Sequence, residues 1–303
     1  MAFAVPSRGA RRTEKARRGF ATPLILLAPA LLWLIVFFVV PTISLASQSL
    51  QTGDIDNGFV LTWHFQNYAD ALSRFWPQFA RSFGYAAIAT IGTLILGYPL
   101  AWFIAHRSGR FKTMLLVLVV APFFTNFLIR TLAWLIILTD SGPVTAFFRA
   151  TGLTNLLQAV GLTDNNSLLF SHFAVISGLI YNFLPFMVLP LYSSIERLDL
   201  RLVDAAGDLY ANGWNKFWKV IWPLSLPGVV SGTLLTFIPA SGDYINSKLL
   251  GNTQTVMIGQ VIDSQFLRVL NYPLAAALSF ILMISIIVLV GAYVRAAGTE
   301  ELV

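Results

Sequence analysis

Residues 193–227, SSIERLDLRLVDAAGDLYANGWNKFWKVIWPLSLP, form a polar interruption between two long apolar runs, and the rest of the chain is organised around it. Leu202, Ala205, Ala206 and Leu209 recur at i, i+3, i+4 and i+7. That spacing predicts a helix with one apolar face, unusually small at its centre. Asp199 stands where it can cap this helix, and Arg201, Asp204 and Asp208 fall on the exposed side. The pattern breaks at Ala211-Asn212-Gly213, where Gly213 supplies turn chemistry. Trp214, Phe217, Trp218, Ile221 and Trp222 then resume helical spacing with Lys216 and Lys219 opposite, and Pro223 and Pro227 punctuate entry into the next apolar run. The expectation is a helix-turn-helix held at a membrane surface. On pattern alone two readings stand: a helix pair resting on headgroups, or a docking element whose alanines admit a partner closely while its carboxylates meet arginines.

Of 303 residues, 56% are hydrophobic and 11% charged, a composition that belongs to a polytopic membrane protein. The absence of cysteine excludes a disulfide framework, a thiol nucleophile and a Cys metal site. His64, His106 and His172 share no ligand spacing, which argues against a His metal cluster.

Taken in order, residues 1–20 are a basic tail carrying Arg8, Arg11, Arg12, Lys15, Arg17 and Arg18. The apolar run 21–40 is too long for a signal-peptide core and matches a spanning helix of about 20 residues. Further spans are expected at 82–105, 113–139, 168–191, 220–240 and 273–294. Segments 48–81 and 241–272 read as loops; 140–166 does too, with an interfacial helix in FFRATGLTNLLQAVGL. No repeat or separate soluble domain is evident, so residues 21–303 form one six-helix domain. If the N-terminus is cytoplasmic, fourteen of the twenty Lys and Arg lie inside and five outside, with Arg130 inside a span. That asymmetry favours both termini in the cytoplasm. It also accounts for the net charge of +6 without nucleic acid.

The chain contains no GxxxxGK[ST] loop, GxSxG, HExxH or paired-carboxylate constellation, so it carries no ATP site of its own and no enzyme chemistry. A charge inside a span points to function by default. Arg130 sits about 24 Å along its span from Met114, at 1.5 Å per residue; it is either a structural arginine or a substrate contact. Asp243 follows in PASGDYIN, where Pro239, Ser241 and Gly242 suggest a broken helix end lining a cavity. Beside Tyr244 it suits a cationic ligand, and a structural pair with Arg130 is the alternative. Asn126, Tyr181 and Asn182 are polar groups near the bilayer centre that need partners, and helix–helix hydrogen bonds would supply them.

Asp204-Ala205-Ala206, the hydrophobic-x-x-Pro of residues 220–223 and the SLPG of 225–228 resemble the "EAA" cytoplasmic loop of ABC importer permeases. Asp204 stands where Glu is usual, Tyr210 where Gly is usual and Trp222 where Leu is usual. Three further stretches, APFFTNFLIRTLAWLIIL (121–138), LIYNFLPFMVLPLYSSIERLD (179–199) and FIPASGDYINSKLLG (237–251), are similar to the spermidine and putrescine branch. Ser241 replaces the bulky apolar residue usual before its Gly-Asp.

The resemblance implies an all-α, six-helix permease of the bacterial inner membrane with a cytoplasmic coupling loop between helices four and five. It implies a second permease subunit, two ATPase subunits that bind ATP and Mg, and an extracytoplasmic binding protein. Asp204, Ala205, Ala206, Tyr210, Gly213 and Pro223 would form the ATPase-coupling set, and Asp243, Tyr244, Arg130, Asn126 and Tyr181 the substrate path. Other readings are a permease for a different small organic solute of the branch, a membrane scaffold, and an ion-coupled secondary transporter. The last is expected to show inverted repeats and more buried ionisable residues.

Overall fold

The computed structural model describes residues 26–163, 167–208 and 212–297. Five helices are long and apolar enough to cross a membrane, and a bent helix pair brings the total to six. Helix α1, Leu26–Ser49, continues past the end of its apolar run and packs mainly on the last helix. The basic tail lies outside the described residues. A small antiparallel hairpin, β1 Gln51–Asp54 and β2 Gly58–Leu61, follows, so the chain is not purely helical. Asp54 closes it by accepting the Asn57 N–H at 2.7 Å, which holds the Asp54 carboxyl below the usual carboxylate range.

Helix α2, Gln66–His106, is 41 residues long, whereas hydropathy alone predicts a span beginning only at Ser82. At 1.5 Å per residue it measures about 60 Å, twice the hydrocarbon thickness. Its early turns are helical because Tyr68, Ala71, Phe75 and Phe79 form one apolar face packed on Ile258, Val261, Leu274 and Leu278. Asp70 and Arg74 take the opposite side as an exposed i, i+4 pair.

The expected third span is broken. Helix α3, Gly109–Phe124, and helix α4, Phe127–Leu138, meet at 95°. Segment 140–166 follows as two short helices, α5 Pro143–Ala150 and α6 Leu153–Ala159, hinged at Gly152 with φ +75. Helix α7, His172–Glu196, starts at a Ser171 cap whose Oγ accepts the Ala174 N–H at 3.2 Å.

Helix α8, Leu200–Asp208, precedes α9, Gly213–Ser241. Pro223 and Pro227 do not punctuate: α9 runs through both. The turns before Pro223 widen to a π-helix at Phe217–Ile221, with the Trp222 N–H bonded to the Phe217 carbonyl, and Ser225 Oγ donates to the Trp222 carbonyl at 3.0 Å. Widened turns of this kind are one of the local adjustments that let a spanning helix continue through proline. Two short helices, α10 Ile245–Leu250 and α11 Ile258–Ser264, lead to α12, Tyr272–Ala297.

The centre of the fold is the packing of α2, α7 and α9 on one another. Gly228 and Gly232, one turn apart on α9, admit α7: a Cβ at Gly228 would lie 2.8 Å from the Pro190 carbonyl oxygen, and one at Gly232 would lie 2.7 Å from Met187 Sδ. Small residues at this spacing let helix backbones approach where lipid gives no hydrophobic drive between spans.

Candidate functional site

The break between α3 and α4 is built by three residues. Thr125 and Asn126 are extended, with ψ of 139 and 134. Asn126 Oδ1 accepts the Leu128 N–H at 2.8 Å and so caps α4. Arg130, one turn into α4, reaches back across the elbow, its Nη1 donating to the Pro122 carbonyl at 2.9 Å. The guanidinium also lies over the rings of Phe127 at 5.3 Å, Phe123 at 5.6 Å and Tyr181 at 5.9 Å. Both sequence expectations for this stretch change. Asn126 serves its own backbone rather than a neighbouring helix, and the 24 Å run to Arg130 along a straight span does not exist.

A cavity of about 610 Å³ opens at the elbow, lined by Phe123, Phe124, Thr125, Asn126, Phe127, Arg130, Asn182, Phe183 and Phe186. Asn126 and Arg130 therefore share one site, and Tyr181 touches its edge through Arg130. The lining includes a fixed cation and no carboxylate.

Asp243 is joined to this cavity through amides. Asn182, from α7, donates through Nδ2 to Asn246 Oδ1 at 3.0 Å, and the Asn246 N–H donates to Asp243 Oδ1 at 2.8 Å. Asn182 Oδ1, Asn246 Nδ2 and Arg130 Nε are buried with no hydrogen-bond partner, so hydrogen-bonding capacity remains unspent along the amide chain and behind the cavity wall. Arg130 and Asp243 make no ion pair among the described residues, and each has its own partners. Tyr244 does not line the cavity; its ring carries the Lys248 ammonium at 5.7 Å. Sequence reasoning places Asn182 only as a polar group in need of a partner and misses Asn246 altogether, although the latter lies three residues beyond Asp243, the spacing of a side chain that caps a helix turn.

On the opposite end, α8 begins with Asp199 Oδ1 accepting the Arg201 N–H at 3.0 Å. The inward side of α8 is Val203, Ala206 and Gly207; Val203 packs against the same buried cluster as Phe217 and Trp222. Leu202, Asp204 and Ala205 are exposed. The face that the i, i+3, i+4 spacing marks as apolar and small is thus partly turned away from this chain. Lys216 lies against Gly207, where a Cβ would come 2.5 Å from its Nζ. Gly213 does not make the turn: it is the first residue of α9, and the position a Cβ would take there is open space. Asn212 does the capping, its Oδ1 accepting the Asn215 N–H at 2.8 Å. Tyr210 lies outside the described residues.

A cleft of about 680 Å³ separates the end of α7, the start of α8 and α9, lined by Ser193, Arg197, Asp199, Leu202, Leu224 and Pro227 among others. Beside it, Lys112 at the base of α3 pairs with Glu196 at the end of α7 at 2.5 Å. The elbow helix is therefore tied to the residues that lead into α8.

Residues 97–297 match the model of a family described as the binding-protein-dependent transport system inner membrane component. The chain belongs to that family. This inner membrane component is 39% identical over 268 residues to the spermidine/putrescine transport system permease protein PotB of Salmonella typhimurium, covering 88% of this chain and 90% of the relative. To the protein of the same name from Escherichia coli it is 38% identical, covering 88% and 94%. To that of Haemophilus influenzae it is 37% identical, covering 87% and 90%. A solved bacterial ABC transporter involved in the import of the acidic polysaccharide alginate has a chain similar in fold, with a TM-score of 0.67 at 16% identity over 95% of this chain and 98% of that one. The matched family region contains the elbow, the amide chain to Asp243 and α8. In a multi-pass inner membrane component, these are a cavity at a broken span with Asn126, Arg130 and Asn182 among its phenylalanines, and an exposed short helix between spans.

Proposed function

We propose that this chain is the permease subunit of an ATP-driven importer for a small cationic organic solute, a polyamine of the spermidine or putrescine type. The observation that carries the reading is the 37–39% identity to spermidine/putrescine permeases along 87–88% of the chain. The likeness extends over nearly all of the relatives' length, so it concerns the whole subunit.

In this reading a second permease subunit pairs with the chain, two ATPase subunits supply ATP hydrolysis with their own Mg, and an extracytoplasmic binding protein delivers the solute. Both termini and α8 are cytoplasmic, as the Lys and Arg distribution favours. Asp204, Ala205 and Ala206 seat an ATPase, with Tyr210 and Pro223 in its surroundings; the exposure of Asp204 and Ala205 supports this. The helix-turn-helix of the coupling loop then consists of α8 and the first turns of α9. Closure of the ATPases displaces α8, and the Lys112–Glu196 contact carries that displacement to the base of the elbow.

On the substrate side, Arg130 positions the elbow, since a fixed cation with four ring and carbonyl partners repels rather than receives a polyamine. Asp243 and Tyr244 face the cationic solute, with Asn126 and Tyr181 shaping the path. Co-purification from the native membrane tests the assembly: an ATPase, a second permease and a binding protein loaded with polyamine are expected. Recovery of this chain alone after cross-linking at α8 overturns it.

A further inference from the structure

Lys248 lies on α10 and Asp263 on α11, and Lys248 Nζ meets Asp263 Oδ2 at 2.7 Å. The same ammonium stands 5.7 Å from the centroid of the Tyr244 ring. The Asp263 side chain is 14% exposed and that of Lys248 35% exposed, so the carboxylate is the more enclosed partner. Among the described residues the ammonium makes no other hydrogen bond or ion pair. Tyr244, by contrast, is 41% exposed, and its ring can be approached from outside the chain.

Chemically, this is a primary ammonium on a four-carbon stem held by a carboxylate and an aromatic ring. A terminal diaminoalkane nitrogen has the same valence, the same three donors and the same apolar stem. We infer that Asp263 and Tyr244 form a receptor for the terminal primary ammonium of the transported polyamine, and that Lys248 occupies it as a tethered stand-in which the solute displaces. The inference rests on the polyamine reading and names a specificity-determining carboxylate that the sequence does not single out.

Two physical arguments support it. A largely enclosed carboxylate needs a cation at all times, because leaving it unpaired carries the desolvation cost without the Coulombic return. A lysine from a neighbouring short helix supplies that cation when no solute is present, and it leaves easily because its long stem regains rotamer freedom on release. The second argument is charge. The elbow cavity presents Arg130, and Asp243 is engaged by the Asn246 N–H. Asp263 is the carboxylate in this region that already holds an alkylammonium, and Asp243 adjoins Tyr244 in the chain to take a second nitrogen.

The test uses the assembled complex of this chain with its permease partner and ATPases, in detergent without binding protein, and measures equilibrium binding of radiolabelled putrescine. Removing the stand-in with Lys248→Met is expected to tighten putrescine binding by about fivefold, the scale of a partly exposed ion pair. Lys248→Met/Asp263→Asn is expected to lose that gain. Lys248→Arg, which keeps the cation, is expected to bind like the wild type. Unchanged binding in Lys248→Met, or a double variant as tight as Lys248→Met, overturns the inference. Thermal unfolding of each variant separates misfolding from lost binding: if the Lys248→Met/Asp263→Asn double variant fails to assemble it is replaced by Lys248→Met/Tyr244→Leu, and if Lys248→Met itself fails, by Tyr244→Leu in the otherwise wild-type chain. Each is expected to weaken putrescine binding relative to its parent and overturns the inference if it does not. The polyamine reading fails separately, if the wild-type complex with its binding protein imports neither putrescine nor spermidine.

Discussion

Arg130 Nη1 donates to the Pro122 carbonyl at 2.9 Å, closing the elbow between α3 and α4 from the inside. The same carbonyl accepts the Thr125 N–H at 3.1 Å, so the last turn of α3 is capped twice. A charge-assisted hydrogen bond of this kind is worth about 1.5–3 kcal/mol. Replacing Arg130 by Ala is expected to lower the maximal uptake rate about tenfold while leaving the half-saturating solute concentration within about twofold, because the elbow loses its geometry and no ligand contact is removed. Initial-rate uptake at varied solute concentration reads both. A large rise in half-saturation with an unchanged maximal rate would make Arg130 a ligand contact instead.

The Asn182–Asn246 hydrogen bond ties α7 to the segment after α9 and is itself buried. Leu at either position is expected to destabilise the complex, and the double Leu variant to cost less than the sum. The coupling expected from such cycles between membrane helices is about 0.6–1.7 kcal/mol. Thermal unfolding in detergent supplies the four midpoints, and strict additivity would remove the amide chain as a link to Asp243.

Gly228 and Gly232 hold α9 against α7, and the atoms a methyl would meet at Gly228 include the Pro190 carbonyl, which cannot step aside. Gly228→Ala is expected to cost about 1–3 kcal/mol by overpacking. Gly84, on α2, has nothing within 4 Å of a Cβ, and Gly84→Ala should be neutral or slightly stabilising. Comparing the two unfolding midpoints checks the claim that the α7–α9 approach, and not helix propensity, requires glycine at 228.

Lys112 and Glu196 are both partly exposed, so solvent screens their pair and it adds little to stability. Their expected effect is on coupling. Lys112→Glu or Glu196→Lys alone should raise ATP hydrolysed per solute imported, and the charge-swapped double variant should restore the ratio. A ratio insensitive to all three variants would mean that α8 reaches the elbow by another route.

The spans are legible in the sequence because the bilayer demands long apolar runs, which composition alone displays. The elbow is not, although its marks are present: residues 113–139 are apolar nearly throughout, so hydropathy passes over Pro122 and over Asn126, whose side chain is a helix cap. The early part of α2 is hidden for the opposite reason. Asp70, Arg74 and Arg81 read as loop, while Tyr68, Ala71, Phe75 and Phe79 already trace a helical face whose partners, such as Ile258 and Leu274, lie far along the chain. Asp243 can be singled out locally, since it sits at a Pro-Ala-Ser-Gly helix end. Asp263 cannot, because its significance depends on Lys248 and Tyr244 arriving from another part of the chain. On α8 the spacing locates the helix but not its inward side, which is decided by Val203 packing against the same buried cluster that Phe217 and Trp222 join from α9.

The central claim is ATP-driven polyamine import through a permease seated on its ATPases at Asp204, Ala205 and Ala206. It is tested most directly by uptake of radiolabelled spermidine into proteoliposomes. These contain this chain, its permease partner and the ATPases, with binding protein on the outside of vesicles oriented to import and ATP enclosed with the ATPases. The account predicts accumulation that requires hydrolysable ATP and is abolished by Ala205→Trp, with the variant chain still inserted in the membrane. No accumulation, accumulation driven by an ion gradient without ATP, or full uptake in the Ala205→Trp variant would contradict it.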